Sequence, residues 1–292
     1  MLLQSLLVWL LTLQPPAAEP QRLKSSSELV VLNVTVVDNK SQYVAGLPRE
    51  AFAIFEEGKP QPVGFFERAD TPATVGLIID SSISMYRLRE AIMAAGMSFA
   101  ASSHPDDELF TINFNERVWH GLPSGQMFTS DREELRRALQ QIRARGQTAL
   151  FDGLHAGLRH LQHGQRQKKV LIVVSDGGDN ASQTTFDSVL EAALRMDAVI
   201  YTVSIRDEYD SEGRPDVLRK IAAATGGEAY FLHDAAVVAR TFDRIARDIR
   251  SGYTIGYTPE PGVTGYRAIK VRVQPPDNKQ RLTVRCRSGY RR

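Results

Sequence analysis

The chain has 292 residues, 42% of them hydrophobic and 24% charged, which allows about two folded domains and argues against wholesale disorder. Lys plus Arg is 36 and Asp plus Glu is 34, so the formal charge is +2, and nothing in that balance calls for a nucleic-acid partner or a charged membrane surface. The single cysteine, Cys286, excludes an intrachain disulfide framework and a multi-cysteine zinc site.

Residues 1–18 carry no charged side chain. Leu6 to Leu13 form an apolar run, Pro15 and Pro16 end it, and Ala17 and Ala18 follow. The run is shorter than the roughly 20 residues of a spanning helix. It reads as a signal peptide cleaved near Ala18, followed by a linker over 19–27. The expectation is an exported protein, periplasmic, secreted or at the cell surface, with no integral membrane span after cleavage.

Residues 28–70 read as a β segment. Val30, Leu32, Val34 and Val36 fall on one face at period two, with Asn33 and Thr35 on the other. Ala51 to Phe55, the turn residues Glu56-Glu57-Gly58-Lys59, and then Val63, Phe65 and Phe66 predict a hairpin.

From 74 to 250 strands alternate with helices. Val75 to Ile79 is apolar without alternation, as in a strand buried on both faces. Leu88, Ile92, Ala95 and Phe99 recur at helical spacing, and Leu109 to Phe114 is a second strand, with a short edge strand over Arg117 to His120. Ser130 and Glu133 form a capping box ahead of Leu135, Leu139 and Ile142. Further helices are predicted around Leu150–Leu161, Phe186–Leu194, Val217–Ala224 and Val238–Ile249, and strands at Val170–Val174, Val199–Ile205 and Ala229–Leu232. The rhythm implies an α/β fold, doubly wound around a mostly parallel sheet.

From 252 to 292 alternation returns at Tyr253, Ile255 and Tyr257, at Ile269, Val271 and Val273, and at Leu282, Val284 and Cys286. Neither terminal β segment is long enough to bury a core alone. The economical arrangement is one small β-sandwich-like unit, with 252–292 packing on 28–70 and the α/β domain inserted between them.

The residues that carry chemistry follow the first parallel strand. Residues 80–84 read DSSIS, so Asp80, Ser82 and Ser84 project oxygens from one loop at the carboxyl end of a central strand, where open α/β sheets place their ligands. Gly146-Gln147-Thr148 and Ser175-Asp176-Gly177-Gly178 occupy equivalent loops. Together they offer two carboxylates and three hydroxyls. Such hard donors suit Mg²⁺, with Mn²⁺ or Ca²⁺ as alternates, whereas the absence of His and Cys speaks against zinc.

DSSIS, GQTALFDGL and VLIVVSDGGDN resemble the metal-ion-dependent adhesion site of the von Willebrand factor type A domain, a D-x-S-x-S motif joined by a distant Thr and Asp. The resemblance implies a Rossmann-like fold over 74–250 and a metal held by Asp80, Ser82, Ser84, Thr148 and Asp176. It also implies a protein partner offering an Asp or Glu carboxylate, with loops 115–129 and 178–185 supplying selectivity. Many family members have Gly where this chain has Ile83, a position the motif leaves open. The flanking stretches VTVVDNKSQYVAGLPREAFAIFEEGKPQPVGFFER, SGYTIGYTPEP and IKVRV extend the resemblance to an exported bacterial family of related proteins first described from acidobacteria.

Plainer readings compete at each position. Asp80 and Ser82 are also common helix caps. Asp179 and Asn180 suit a turn, and Asp152 is either a support for the site or plain surface. His155, His160 and His163 share a helix at spacings that make a poor zinc face. Cys286 reads as a buried, inert thiol, Arg285, Arg287, Arg291 and Arg292 as a solvated strand face and tail, and Glu208, Asp210 and Glu212 as an exposed loop. The chain has no G-x-S-x-G, H-E-x-x-H, P-loop or G-x-G-x-x-G motif. The expectation is therefore a binding protein and not an enzyme, with a metal-dependent hydrolase using the same site as the alternative.

Overall fold

The structure, a computed structural model, describes residues 29–40, 42–68, 70–142, 144–205, 213–262, 264–274 and 281–291. The expected signal peptide and linker, the acidic residues 208–212, the 275–278 turn and Arg292 lie outside them. In chain order the strands and α-helices are β1 (Val30–Val37), β2 (Phe52–Glu56), β3 (Lys59–Gln61), β4 (Phe65–Arg68), β5 (Ala73–Asp80), α1 (Arg89–Ser102), β6 (Glu108–Phe114) and β7 (Val118–His120). There follow α2 (Arg132–Leu139), α3 (Leu150–Leu161), β8 (Lys168–Val174), α4 (Phe186–Arg195), β9 (Val199–Ile205), α5 (Pro215–Thr225), β10 (Ala229–Leu232) and α6 (Val238–Ser251). The chain closes with β11 (Tyr253–Tyr257), β12 (Tyr266–Val273), β13 (Thr283–Arg285) and β14 (Gly289–Arg291).

Six strands form the central sheet in the order β10-β9-β8-β5-β6-β7, parallel except for the antiparallel edge strand β7. Their apolar runs are buried on both faces, because helices cover both. Ile92 and Phe99 of α1, Leu135 and Leu139 of α2, and Phe242 and Ile245 of α6 pack with Val75, Leu77 and Ile79 on one side. Leu150, Leu154 and Leu158 of α3, Val189 of α4 and Leu218 of α5 pack with Ile78 and Val173 on the other. Strand order reverses at β5, which sits between β6 and β8, and that reversal opens a crevice at its carboxyl end.

The chain ends build two four-stranded antiparallel sheets, β13-β1-β11-β4 and β14-β12-β2-β3. Leu32, Val34 and Ile255 from the first share a core with Ile54, Val271 and Tyr290 from the second. The period-two face of β1 supplies its half of that core.

Local details differ from the sequence reading. The hairpin pairs β2 with Lys59–Gln61, and Phe65–Arg68 crosses to the other sheet to pair with β11. Phe66 thereby packs its ring near Phe52 and Tyr253, an aromatic cluster that a simple return strand does not make. The N-cap of α2 is Asp131, whose carboxylate accepts from the amides of Glu133 and Glu134, and not Ser130. A carboxylate at the positive end of a helix is a stronger cap than a hydroxyl one residue further out. At the basic end, Arg285 and Arg287 do not lie on a solvated face, whereas Arg291 is exposed as expected. Arg285 pairs with Glu228 and Asp248, Arg287 with Asp197, and Arg291 with Glu191. These arginines face acids and carbonyls of the α/β unit because β13 and β14 lie against it, with Thr225 bridged to Arg287. Cys286 is part-buried, and burial pushes its thiol up to about 11, which leaves it a weak nucleophile.

Candidate metal centre

β5 delivers Asp80 to the crevice, and β8 delivers Ser175 and Asp176 beside it. Asp80 is fully buried. Its Oδ1 accepts the Ser82 amide at 2.9 Å and its Oδ2 accepts the Ser175 hydroxyl at 2.7 Å. The Ser82 and Ser84 hydroxyls lie 3.0 Å apart, and Ser84 Oγ donates to Asp176 Oδ2 at 3.0 Å. Asp176 Oδ1 accepts the Gly178 amide at 2.8 Å. Ser82 occupies the N-cap position of a 3₁₀ turn over Ile83–Leu88, yet its side chain makes no capping bond. Its hydroxyl turns to Ser84 instead, so the capping alternative has no support at Ser82.

Thr148 is tied through its backbone to the third loop and not directly to the Asp80, Ser82, Ser84 and Asp176 cluster. Its amide donates to Asn180 Oδ1, and its carbonyl accepts from the amides of Asn180 and Ala181. The same loop is tied to the first one, since Arg145 N donates to Ser81 O and Ile83 N to Gly146 O. Asp179 accepts from Ser182 Oγ and the Phe151 amide, and Asp152 accepts from the amides of Gln183 and Thr184. Asp152, Asp179 and Asn180 thus shape the third loop and fasten it to the start of α3.

Two glycines make the close approach possible. Gly177 has φ +88°, and a Cβ there would stand 2.6 Å from the Arg214 carbonyl. Gly146 has φ +75°, and the Glu116 carboxylate lies where its side chain would be. Both conformations are open to glycine and strained for other residues.

The electrostatics match the geometry. Burial pushes the Asp80 carboxyl up to about 6, while hydrogen bonds from Ser82 and Ser175 pull it down and neighbouring Asp176 pushes it further up. Two carboxylates crowded into a desolvated crevice call for a cation. Ligands at adjacent corners of an octahedron about Mg²⁺ lie roughly 2.8–3.0 Å apart, for bonds of roughly 2.0–2.1 Å. The Ser82–Ser84 and Ser84–Asp176 oxygen spacings, 3.0 Å each, fit that edge length. Among the described residues no group of three or more His, Cys, Asp or Glu gathers, in this crevice or elsewhere, so the carboxylates here are two and the remaining donors are hydroxyls.

Ser175 is the site residue that sequence reasoning passed over. Its hydroxyl bridges Asp80 and the Gly177 amide, joining the first and third loops. Its place immediately before Asp176, at the end of the most apolar strand, was the available signal. Asn115 was missed as well. It sits just beyond β6, accepts the Ala149 amide and donates to Arg145 O, and so holds the Thr148 loop from the other side.

Comparison with known proteins agrees with this architecture. The model of the von Willebrand factor type A domain matches residues 75–244. A von Willebrand factor type A protein from Catenulispora acidiphila superposes with a TM-score of 0.56 at 16% identity, over 89% of this chain and 74% of that one. Proximal thread matrix protein 1 from the mussel byssus, solved with zinc in its MIDAS motif, superposes with a TM-score of 0.51 at 13% identity, over 66% of this chain and 49% of that one. An uncharacterized Synechocystis protein, sll0103, is 23% identical over 180 residues, which are 60% of this chain and 41% of that one. The chain therefore spans less than half the length of that relative. With the family's match covering most of the central α/β unit, the chain belongs to the von Willebrand factor type A domain family.

Proposed function

We propose that this protein is an exported, non-enzymatic binding protein. Asp80, Ser82, Ser84, Thr148 and Asp176 would hold a divalent cation, and a protein partner would dock on it through an Asp or Glu side chain. The observation that carries the reading is the chain of oxygens Ser82, Ser84 and Asp176 at octahedral-edge spacing beside buried Asp80. When bound, the cation supplies a Lewis-acid position for a carboxylate. The protein's own groups do the rest. Ser175 and the Ser82 amide fix the Asp80 rotamer, and the Gly178 amide fixes Asp176.

An all-oxygen donor set favours Mg²⁺, with Mn²⁺ or Ca²⁺ as alternates. The zinc-occupied mussel protein indicates that a site of this class also accepts zinc, so the lack of His and Cys is no bar to it. The cluster's bonds run between hydroxyls, carboxylates and amides. No described helix is long and apolar enough to cross a membrane.

The test is affinity capture from the source cell envelope and medium, run in Mg²⁺ and in EDTA, with wild type and Asp80→Ala. Partner retained only by wild type in Mg²⁺ is the expected result. Retention unchanged by EDTA would overturn the reading.

A further inference from the structure

The loop that backs the metal cluster is also one wall of a second feature. Arg145 and Gly146 are bonded to Ser81 and Ile83 on one side and, with Asn115, Arg117, Trp119 and Gln141, line a cleft of about 530 Å³ on the other. Arg117 and Arg145 are exposed on its rim, and among the described residues neither has an ion-pair partner. Glu116 lines the same cleft, and its carboxylate is engaged by the Gln147 amide at 3.1 Å, so the two arginines outnumber the one acid. The cleft therefore carries two guanidinium groups with no ion-pair partner among the described residues, together with the indole of Trp119. Next to the metal loop, Ile83 is 65% exposed and Tyr86 is 68% exposed, although large apolar side chains elsewhere in the α/β unit are mostly buried. Two exposed apolar groups beside a built site mark a contact surface.

We infer that the partner segment carries a second acidic side chain, seated between Arg117 and Arg145, and an apolar side chain that packs on Ile83 and Tyr86. The inference rests on the metal-site reading above and extends it to the partner's chemistry. An Arg pair favours a carboxylate through charge-assisted, bidentate bonds. The indole of Trp119, which lines the same cleft, offers an apolar surface to the chain of the acid. A partner with a lone carboxylate would fill the metal position and leave the basic cleft in water.

The experiment pans a random peptide display library on the full chain in Mg²⁺ and elutes with EDTA. The strongest peptide and its single Asp→Asn or Glu→Gln versions are then titrated by fluorescence anisotropy. Enriched peptides are expected to carry two acids within a few residues of each other and a neighbouring aliphatic or aromatic residue. Neutralising one acid should abolish binding, and neutralising the other should weaken it about tenfold, which corresponds to about 1.4 kcal/mol. Arg117→Gln with Arg145→Gln should reproduce that tenfold loss, add nothing to the peptide already lacking the second acid, and leave Mg²⁺ binding by calorimetry in place. Ile83→Ser with Tyr86→Ser should remove the apolar preference. Single-acid peptides that bind as tightly, an arginine variant that keeps wild-type affinity, or a library that yields no EDTA-eluted peptide would each overturn the inference. Calorimetry separates the two failures, since absence of Mg²⁺, Mn²⁺ and Ca²⁺ binding would remove the metal site itself.

Discussion

Arg285 of β13 donates to Asp248 of α6 at 2.6 Å, joining the terminal sandwich to the last helix of the α/β unit. The Asp248 side chain is fully buried and that of Arg285 part-buried, and Arg285 also pairs with Glu228. Burial pushes the Asp248 carboxyl up while Arg285 draws it down, so the acid depends on its partner to stay ionised. Removing one member of such a pair strands the other in low dielectric, at about 3–5 kcal/mol. Arg285→Met should lower the free energy of urea unfolding by an amount of that order. Arg285→Met with Asp248→Asn should recover much of it, because no bare charge is left. A single variant with the wild-type midpoint would show that the pair holds nothing.

A second buried acid sets the acid limit of the sandwich. Glu56 accepts bonds from Tyr257, Arg267 and Tyr290 in the core between the two sheets. Burial alone would raise its carboxyl, but these three donors outweigh it and hold the group below its ordinary 4.5. Between the folded value and 4.5 the unfolded chain binds more protons than the folded one. The contribution of Glu56 is therefore present above 4.5 and lost as pH falls through the folded value. Urea midpoints measured from pH 7 to pH 3 should fall less steeply for Glu56→Gln than for wild type, starting from a lower value at neutral pH. Parallel curves for the two proteins would assign the acid limit to other groups.

The two behaviours differ in how far the sequence announces them. The parallel core was legible because the Val75–Ile79 run and the helical spacing of Ile92 and Phe99 record local burial, which periodicity reports directly. Alternation at Val30–Val36 and Tyr253–Tyr257 likewise indicated terminal sheets. Pairing partners are another matter. Phe65–Arg68 joins β11 at residues far along the chain, and no local pattern encodes that choice. Period two gave Arg285 and Arg287 a face but not what covers it, so buried ion pairs passed for solvated charge. The sequence placed Asp80, Ser82 and Ser84 in one loop. Their spacing to Asp176, and the bridge from Ser175, follow from the strand order of the sheet and cannot be read from a motif.

That strand order makes Gly177 a sensitive position. Its φ of +88° and the Arg214 carbonyl 2.6 Å from a would-be Cβ combine backbone strain with a clash against main chain that a rotamer change cannot relieve. Left-handed backbone costs a non-glycine residue about 1–2 kcal/mol before the clash is counted. Gly177→Ala should lower the thermal midpoint and, because Asp176 precedes it, weaken cation binding at least several-fold. Gly125→Ala is the control, since it has φ +86° with open space around it. It should lower stability alone and leave calorimetric cation affinity at the wild-type value. Equal affinity losses in the two variants would mean that general destabilisation, and not the Asp176 loop, is being read.

The metal reading also makes a claim about stability without any partner. Asp80 and Asp176 face one crevice, and Asp80 is buried at a cost that its own hydrogen bonds do not cancel. A cation that binds only the folded chain stabilises it by about 2.7 kcal/mol at 100 times its dissociation constant. Each kcal/mol moves the midpoint of a chain of this size by roughly 2–4 °C, so saturating Mg²⁺ should raise it by roughly 5–10 °C. Asp80→Asn should abolish that rise. The same substitution removes a desolvated charge while keeping the shape of the side chain, so in EDTA the variant should melt no lower than wild type. Loss of the metal response together with unimpaired apo stability is a combination that simple misfolding cannot produce. A wild-type midpoint indifferent to millimolar Mg²⁺, Mn²⁺ and Ca²⁺ would mean that the oxygens around Ser84 are only a hydrogen-bonded loop junction.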